Sequence, residues 1–175
     1  MKSLWLFSLA VSFVLLAGCG RERMHTSAPN TSDADAKFLY DLLDHHMHWD
    51  KVIDPCAEKK TIRAELQNLC GSMEADRTAE VAMMTNMYSE WFGKTTTPVD
   101  SFPDWVGSLE GSEFERNFLK SMNSQYDEGI DLSAKCAERA NRAQLKQLCT
   151  RMRDEQRVER KKVRDLACAW FKECA

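Results

Sequence analysis

Glycine and proline are scarce in this chain, 7 and 4 in 175 residues, and five of those eleven fall between positions 93 and 111. The rest of the mature chain is left almost uninterrupted for long helices. No two cysteines stand in Cys-x-x-Cys spacing, which argues against thioredoxin-type redox chemistry and thiolate zinc. Glu-x-x-His does not occur from residue 33 onward, although carboxylate di-iron chemistry in a four-helix bundle needs that motif on two helices. Every cysteine has a structural use, so a Cys-His nucleophile has little to recommend it, and nothing in the chain points to catalysis. There is no basic excess either: 24 Lys and Arg face 27 Asp and Glu, for a net charge of −3. Nothing here is basic enough to argue for a nucleic-acid binder.

The one long apolar run, Leu4 to Ala17, follows Lys2 and ends in Leu16-Ala17-Gly18-Cys19. It is short for a spanning helix and has the layout of a secretory signal. The Leu-Ala-Gly-Cys box resembles that of bacterial lipoproteins, which implies cleavage after residue 18 and a lipid on Cys19. Gly20, rather than Asp, follows the cysteine, and by the same resemblance the expected location is the outer membrane of a Gram-negative envelope, facing the periplasm. Residues 19–32 then form a lipidated cysteine and a flexible tether, anchoring residues 33–175 to the membrane. Removing 18 residues leaves 157, enough for one domain with a real core.

The mature chain writes one helical hairpin twice. Phe38-Leu39 recurs as Phe118-Leu119, and Cys56-Ala57-Glu58 as Cys136-Ala137-Glu138. After a slip of one residue, Leu69-Cys70, Met73, Glu80 and Trp91-Phe92 recur as Leu148-Cys149, Met152, Glu159 and Trp170-Phe171. The repeats span 37–92 and 117–171. Two such hairpins predict an all-α four-helix bundle, either up-down-up-down or with a crossover. The first helix should run from Ser32 or Asp33 to about Lys60, with a kink at Pro55. The second should run from Arg63 to Phe92 and stop at Gly93. Ser112-x-x-Glu115 and Asn141-x-x-Gln144 read as capping boxes for the third and fourth. The aromatics of the 93–111 connection are expected to pack down over one edge.

With Cys19 lipidated, six cysteines remain, an even number for an oxidising compartment. The hairpin geometry brings Cys56 level with Cys70 and Cys136 level with Cys149. Cys168 and Cys174 are left to pin the C-terminal tail.

Folding the first hairpin at its midpoint sets residue i level with residue 126 − i, so His46 meets Glu80 and Trp49 meets Arg77. His45, His46 and Glu80 then form a polar layer on the inner face, with Met73, Met84 and Met87 nearby and His48 at its border. Buried polar groups need partners. A hydrogen-bonded network of His46, Glu80 and Arg77 meets that need, and so does a metal site. Imidazole with thioether suits Cu(I) or Ag(I), and a carboxylate beside His can orient the ring. The matching layer of the second hairpin, Gln125, Tyr126, Gln156 and Glu159, is expected to satisfy itself by hydrogen bonds. Any metal should therefore bind the first hairpin.

Phe38-Leu39, Leu42-x-x-His45-His46, Leu69, Met73, Glu80, Met84 and Trp91, together with Met122 and Gln156-x-x-Glu159, resemble a ferritin-like bacterial family. It is known as domain of unknown function number three hundred and five, with the pattern Met-x-x-His-His followed by Gln-x-x-Glu and Met. The resemblance implies a periplasmic or tethered four-helix protein, with some members implicated in copper or silver binding. Carried over by position, the metal candidates are His45, His46 and Met84, with Glu80 as a partner. His48 and Met87 are additions of this chain. Leu42 stands where the family has Met, and Arg77 where it has Gln. The expected function is non-enzymatic binding of Cu(I) or Ag(I) in the envelope. The alternative is a metal-free, disulfide-stapled envelope lipoprotein acting as a protein-interaction or structural module.

Overall fold

The structure, a computed structural model, describes residues 34–95 and 105–174. The signal segment, Cys19 and the tether lie outside the described residues, as do Pro98, Phe102 and Pro103. Among the described residues there are four long helices, α1 (Ala34–Glu58), α2 (Ala64–Phe92), α4 (Gly111–Arg139) and α5 (Ala143–Phe171), and one short helix, α3 (Trp105–Ser108). None is long and apolar enough to cross a membrane.

The repeat forms two hairpins, α1–α2 and α4–α5, each stapled near its closed end. Cys56 is bonded to Cys70 and Cys136 to Cys149, while Cys168 is bonded to Cys174 at the C-terminus. The Thr61 and Gly111 ends meet, with Lys59 and Thr61 hydrogen-bonding to Glu110. Arg142, at the start of α5, lies over Trp91 and Phe92 at the end of α2. The end of α2 and the start of α4 therefore sit at opposite ends of the bundle, and the order is up-down-down-up with a crossover. Within the connection, Trp105 packs on Phe114 with ring centroids 5.7 Å apart, and Val106 is buried.

Helix ends follow the sequence in part. Gly93 adopts φ 62° and closes α2 through its N–H to the Ser89 carbonyl, the left-handed stop that glycine takes without strain. Lys172, its counterpart in the repeat, takes φ 63° at the end of α5. Pro55 lies inside α1, which ends at Glu58 rather than near Lys60. Neither capping box forms. The N-cap residues are Glu110 and Arg142, without side-chain caps. The acids that do the capping come from the opposite hairpin. Asp35 of α1 accepts the N–H groups of Asn141 and Arg142 at 2.6 and 2.9 Å. Glu115 of α4 accepts the N–H of Arg63 at 2.6 Å.

The core divides into two apolar clusters. One gathers Trp49, Ile53, Met73, Phe114, Phe118 and Met122. The other gathers Leu39, Leu42, Leu43, Met84, Met87 and Met152. Buried between them are His46, Arg77, Glu80 and Gln156.

Candidate functional site

The polar layer begins with His46, which is fully buried. Its Nδ1 lies 2.8 Å from the Leu42 carbonyl. A carbonyl oxygen only accepts, so Nδ1 carries the proton and Nε2 presents a lone pair. Arg77 Nη1 donates to that Nε2 at 2.7 Å. Glu80 Oε2 stands 2.9 Å from the same nitrogen and 3.4 Å from Arg77 Nη1. The other arm of the guanidinium crosses to the second hairpin, where Nη2 donates to Glu159 Oε2 at 3.1 Å. The level predicted for His46 and Glu80 is met, but the layer is one network over both hairpins rather than one per hairpin.

Arg77 is the cation of this layer. Burial opposes its charge, but Tyr126, Glu159 and Glu80 outweigh that and hold its pKa above the ordinary value. His46 is held neutral by burial and by the Arg77 charge, against the pull of Glu80. Burial raises Glu80, but the Arg77 charge helps bring it below its usual range. Glu159 ends above its own, because burial outweighs what Arg77 offers it. A metal ion reaching His46 Nε2 would have to displace Arg77, which already occupies the space between His46, Glu80 and Glu159.

The other candidate ligands are dispersed. Met84 and Met87 belong to the apolar cluster around Leu39 and Leu42, and Met73 to the cluster on the far side of the polar layer. His45 turns the other way, towards α4. It lines an open cleft of about 370 Å³ with Asp41, Asp44, His48, Gln125 and Glu128. Burial first, then the neighbouring His46, Arg77 and His48, push its pKa down to about 3. His45 is thus a neutral imidazole, and it makes no side-chain hydrogen bond among the described residues. Those residues contain no group of three or more His, Cys, Asp or Glu placed to hold a metal ion.

The second hairpin reverses its expectation. Gln125 Oε1, the Tyr126 hydroxyl, Ser133 Oγ and both amide atoms of Gln156 are buried without a hydrogen-bond partner among the described residues. Tyr126 lies in the field of Arg77 and Glu159, its ring 5.7 Å from the guanidinium, but outside hydrogen-bond geometry. Glu159, which the second hairpin was expected to use for itself, is instead taken by Arg77 of the first. Sequence reasoning also passed over Gly129, which stands in the second repeat where Trp49 stands in the first. A β-carbon there would lie 2.6 Å from Gln156 Oε1 and 2.8 Å from His45 Nε2. The lack of a side chain lets α1 and α4 close in, and the correspondence with Trp49 was the signal that could have shown it.

Comparison with known proteins bears on the fold. Residues 104–167 match the family described as Domain of unknown function (DUF305). The match covers α3, α4 and most of α5, and the histidine-bearing first hairpin lies outside it. No curated protein matches the chain. Among solved structures the chain is similar to CopM in the Ag-bound form obtained by soaking. The TM-score is 0.68 at 20% identity, covering 78% of this chain and 97% of that one. CopM in the Cu(I)-bound form gives the same four values. The apo form gives a TM-score of 0.69 at 19% identity, covering 78% of this chain and 98% of that one. At such identities the likeness shows a shared helical bundle.

Proposed function

We propose that this chain is a lipid-anchored envelope protein that binds a soft metal ion, Cu(I) or Ag(I), without catalysis. The lipid is carried on Cys19, and the tether holds the bundle on the periplasmic side of the outer membrane. The observation that carries the metal reading is His45: a neutral imidazole, free of hydrogen bonds among the described residues, at the edge of a cleft it shares with His48. Neutral imidazole nitrogen is a ligand for copper. Support comes from the fold shared with CopM, which has been solved in Ag- and Cu(I)-bound forms. His45 is the first ligand in this reading and His48 its neighbour. His46 and Met84 join only if Arg77 withdraws.

A second reading has its own observation. Arg77 already donates to both His46 Nε2 and Glu80 Oε2, as in a metal-free bundle stapled by disulfides that serves as a protein-interaction or structural module.

Competition titration of the mature chain with Cu(I) and Ag(I), disulfides intact, tests both. Sub-nanomolar binding that is lost in His45→Ala and largely kept in His46→Ala is the expected result. Equal, weak binding by the wild type and both variants would leave the metal-free module.

A further inference from the structure

The three disulfides differ in their surroundings. Cys56, Cys70, Cys136 and Cys149 are all 0% exposed inside the two core clusters. Cys174 is exposed and Cys168 half-buried, so a reagent in solution reaches this bond and not the other two. It also spans only 6 positions, against 14 and 13 for the hairpin staples. A short loop restricts the unfolded chain least, so opening this bond leaves the bundle standing. The tail then stays tied to α4 through Glu173, which pairs with Arg116 at 2.7 Å.

A cleft of about 270 Å³ is built against this bond, and both cysteines line it. Arg157, Arg160, Lys161 and Arg164 line it with them, and Asp165 is the one acid among the lining residues. Three of the four cations have carboxylate neighbours, Asp154, Asp127 and Asp165, in solvent-facing pairs that hold them only weakly. Arg164 has no ion pair among the described residues. A concavity lined by one sign of charge gathers counter-ions, and an anion gathered here arrives beside a disulfide. The cations also favour the thiolate that leaves when the bond opens. Cys168 lies in the last turn of α5, where the helix dipole presents about half a negative charge. That end is capped, however, by the Lys172 and Glu173 N–H groups, and Arg164 stands one turn before the cysteine.

We propose that the Cys168–Cys174 bond is a thiol-exchange site for a small thiol that carries carboxylates, of the glutathione class, seated in the basic cleft. The incoming thiolate attacks Cys174 Sγ, at the exposed end of the bond. The Sγ–Sγ bond breaks, its electron pair leaves on Cys168 Sγ as a thiolate among the cations, and a mixed disulfide joins the ligand to Cys174. The incoming thiol is oxidised and Cys168 is reduced, so the exchange calls for no other oxidant. Return attack by Cys168 restores the bond and releases the thiol. The site uses neither His45 nor a metal, and it stands or falls apart from the soft-metal reading.

The test is exchange of the mature chain with glutathione, beside uncharged 2-mercaptoethanol and cationic cysteamine at equal thiolate concentration. Iodoacetamide traps the freed thiol, and peptide mass spectrometry reads what each cysteine carries. Glutathione is expected on Cys174 and the alkyl group on Cys168, with the two hairpin disulfides intact. Glutathione should react roughly tenfold faster than 2-mercaptoethanol, and cysteamine more slowly than either. That order should flatten in high salt, a measurement that needs no variant. It should also flatten in the Lys161→Gln/Arg164→Gln double variant, whose fold circular dichroism checks. Equal rates for the three thiols, or a preference that salt does not touch, would overturn the seat. Glutathione on the hairpin cysteines as readily as on Cys174, or on Cys168 in its place, would overturn the exchange as written.

Discussion

Asp35 and Glu115 hold equivalent places in the two hairpins, and each caps the second helix of the other. Asp35 of α1 receives the Asn141 and Arg142 N–H groups at the start of α5, and Glu115 of α4 receives the Arg63 N–H at the start of α2. The arginines are equivalent too. Arg142 pairs with Asp35 at 3.0 Å and lies over Trp91 and Phe92. Arg63 pairs with Glu115 at 3.5 Å and lies over Trp170 and Phe171. Both carboxylates are buried, and a helix N-terminus favours negative charge. The duplication thus supplies an exchange of caps that locks the hairpins together at both ends.

Loss of a cap should therefore loosen the whole bundle. Asp35→Ala and Glu115→Ala are each expected to cost about 1–3 kcal/mol, measured by urea unfolding. Because the two caps sit at opposite ends, the double variant should show the sum of the single effects. Strong non-additivity would show that the ends communicate through the core.

Arg77 is the second tie between the hairpins, and Arg77→Gln should be the most damaging single change in the layer. It leaves Glu80, Glu159 and His46 buried without their cation, a loss of about 3–5 kcal/mol at neutral pH. The sign with pH follows from the carboxylates. With the guanidinium gone, the native state raises their pKa values, so the variant is favoured where they are protonated and weakened as pH rises through them. Urea unfolding at pH 4.5 and 7.5 should show a smaller gap from wild type at the lower pH.

Much of this architecture was legible in the sequence, because a repeat that carries cysteines fixes its own geometry. The hairpin midpoint set His46 level with Glu80, and the same symmetry paired Cys56 with Cys70 and Cys136 with Cys149. What could not be read was everything that passes between hairpins. Asp35 in the first turn of a helix looks like a partner for its own helix dipole, not a cap for a helix a hundred residues later. Arg77 looks like a local counter-charge for Glu80, and nothing in the spacing says that its other arm crosses to Glu159 of the second hairpin. Gly129 reads as a weak point inside a helix until it is set against Trp49. A within-hairpin rule predicts contacts inside each copy, but the interface of two copies depends on how they pack.

His45 sets an acid limit to stability. Its pKa is about 3 in the folded chain against an ordinary 6.5, so between those values the unfolded chain binds a proton that the folded chain refuses. Its contribution is fully present above about pH 6.5 and is lost as pH falls towards about 3, at up to about 1.4 kcal/mol per pH unit. His46, buried and held neutral, acts in the same direction. His45→Gln should flatten the acid limb of a stability profile between pH 4 and 6.5, and a profile parallel to wild type would show that the ring is already protonated in the fold.

Asp50 works against the histidines over part of the same range. Burial first, and then the neighbouring Asp54, lift its pKa from an ordinary 3.8 to about 6. The folded chain therefore keeps a proton that the unfolded chain releases. The stability this lends is complete below about pH 3.8 and is lost as pH rises through about 6, which leaves a destabilising charge at neutral pH. Asp50→Asn keeps the shape and removes the charge. It should raise Tm at pH 7 and leave Tm near pH 3.5 close to wild type, with the gap opening between those values. A gain equal at both pH values would place the benefit in packing instead of in the carboxylate charge.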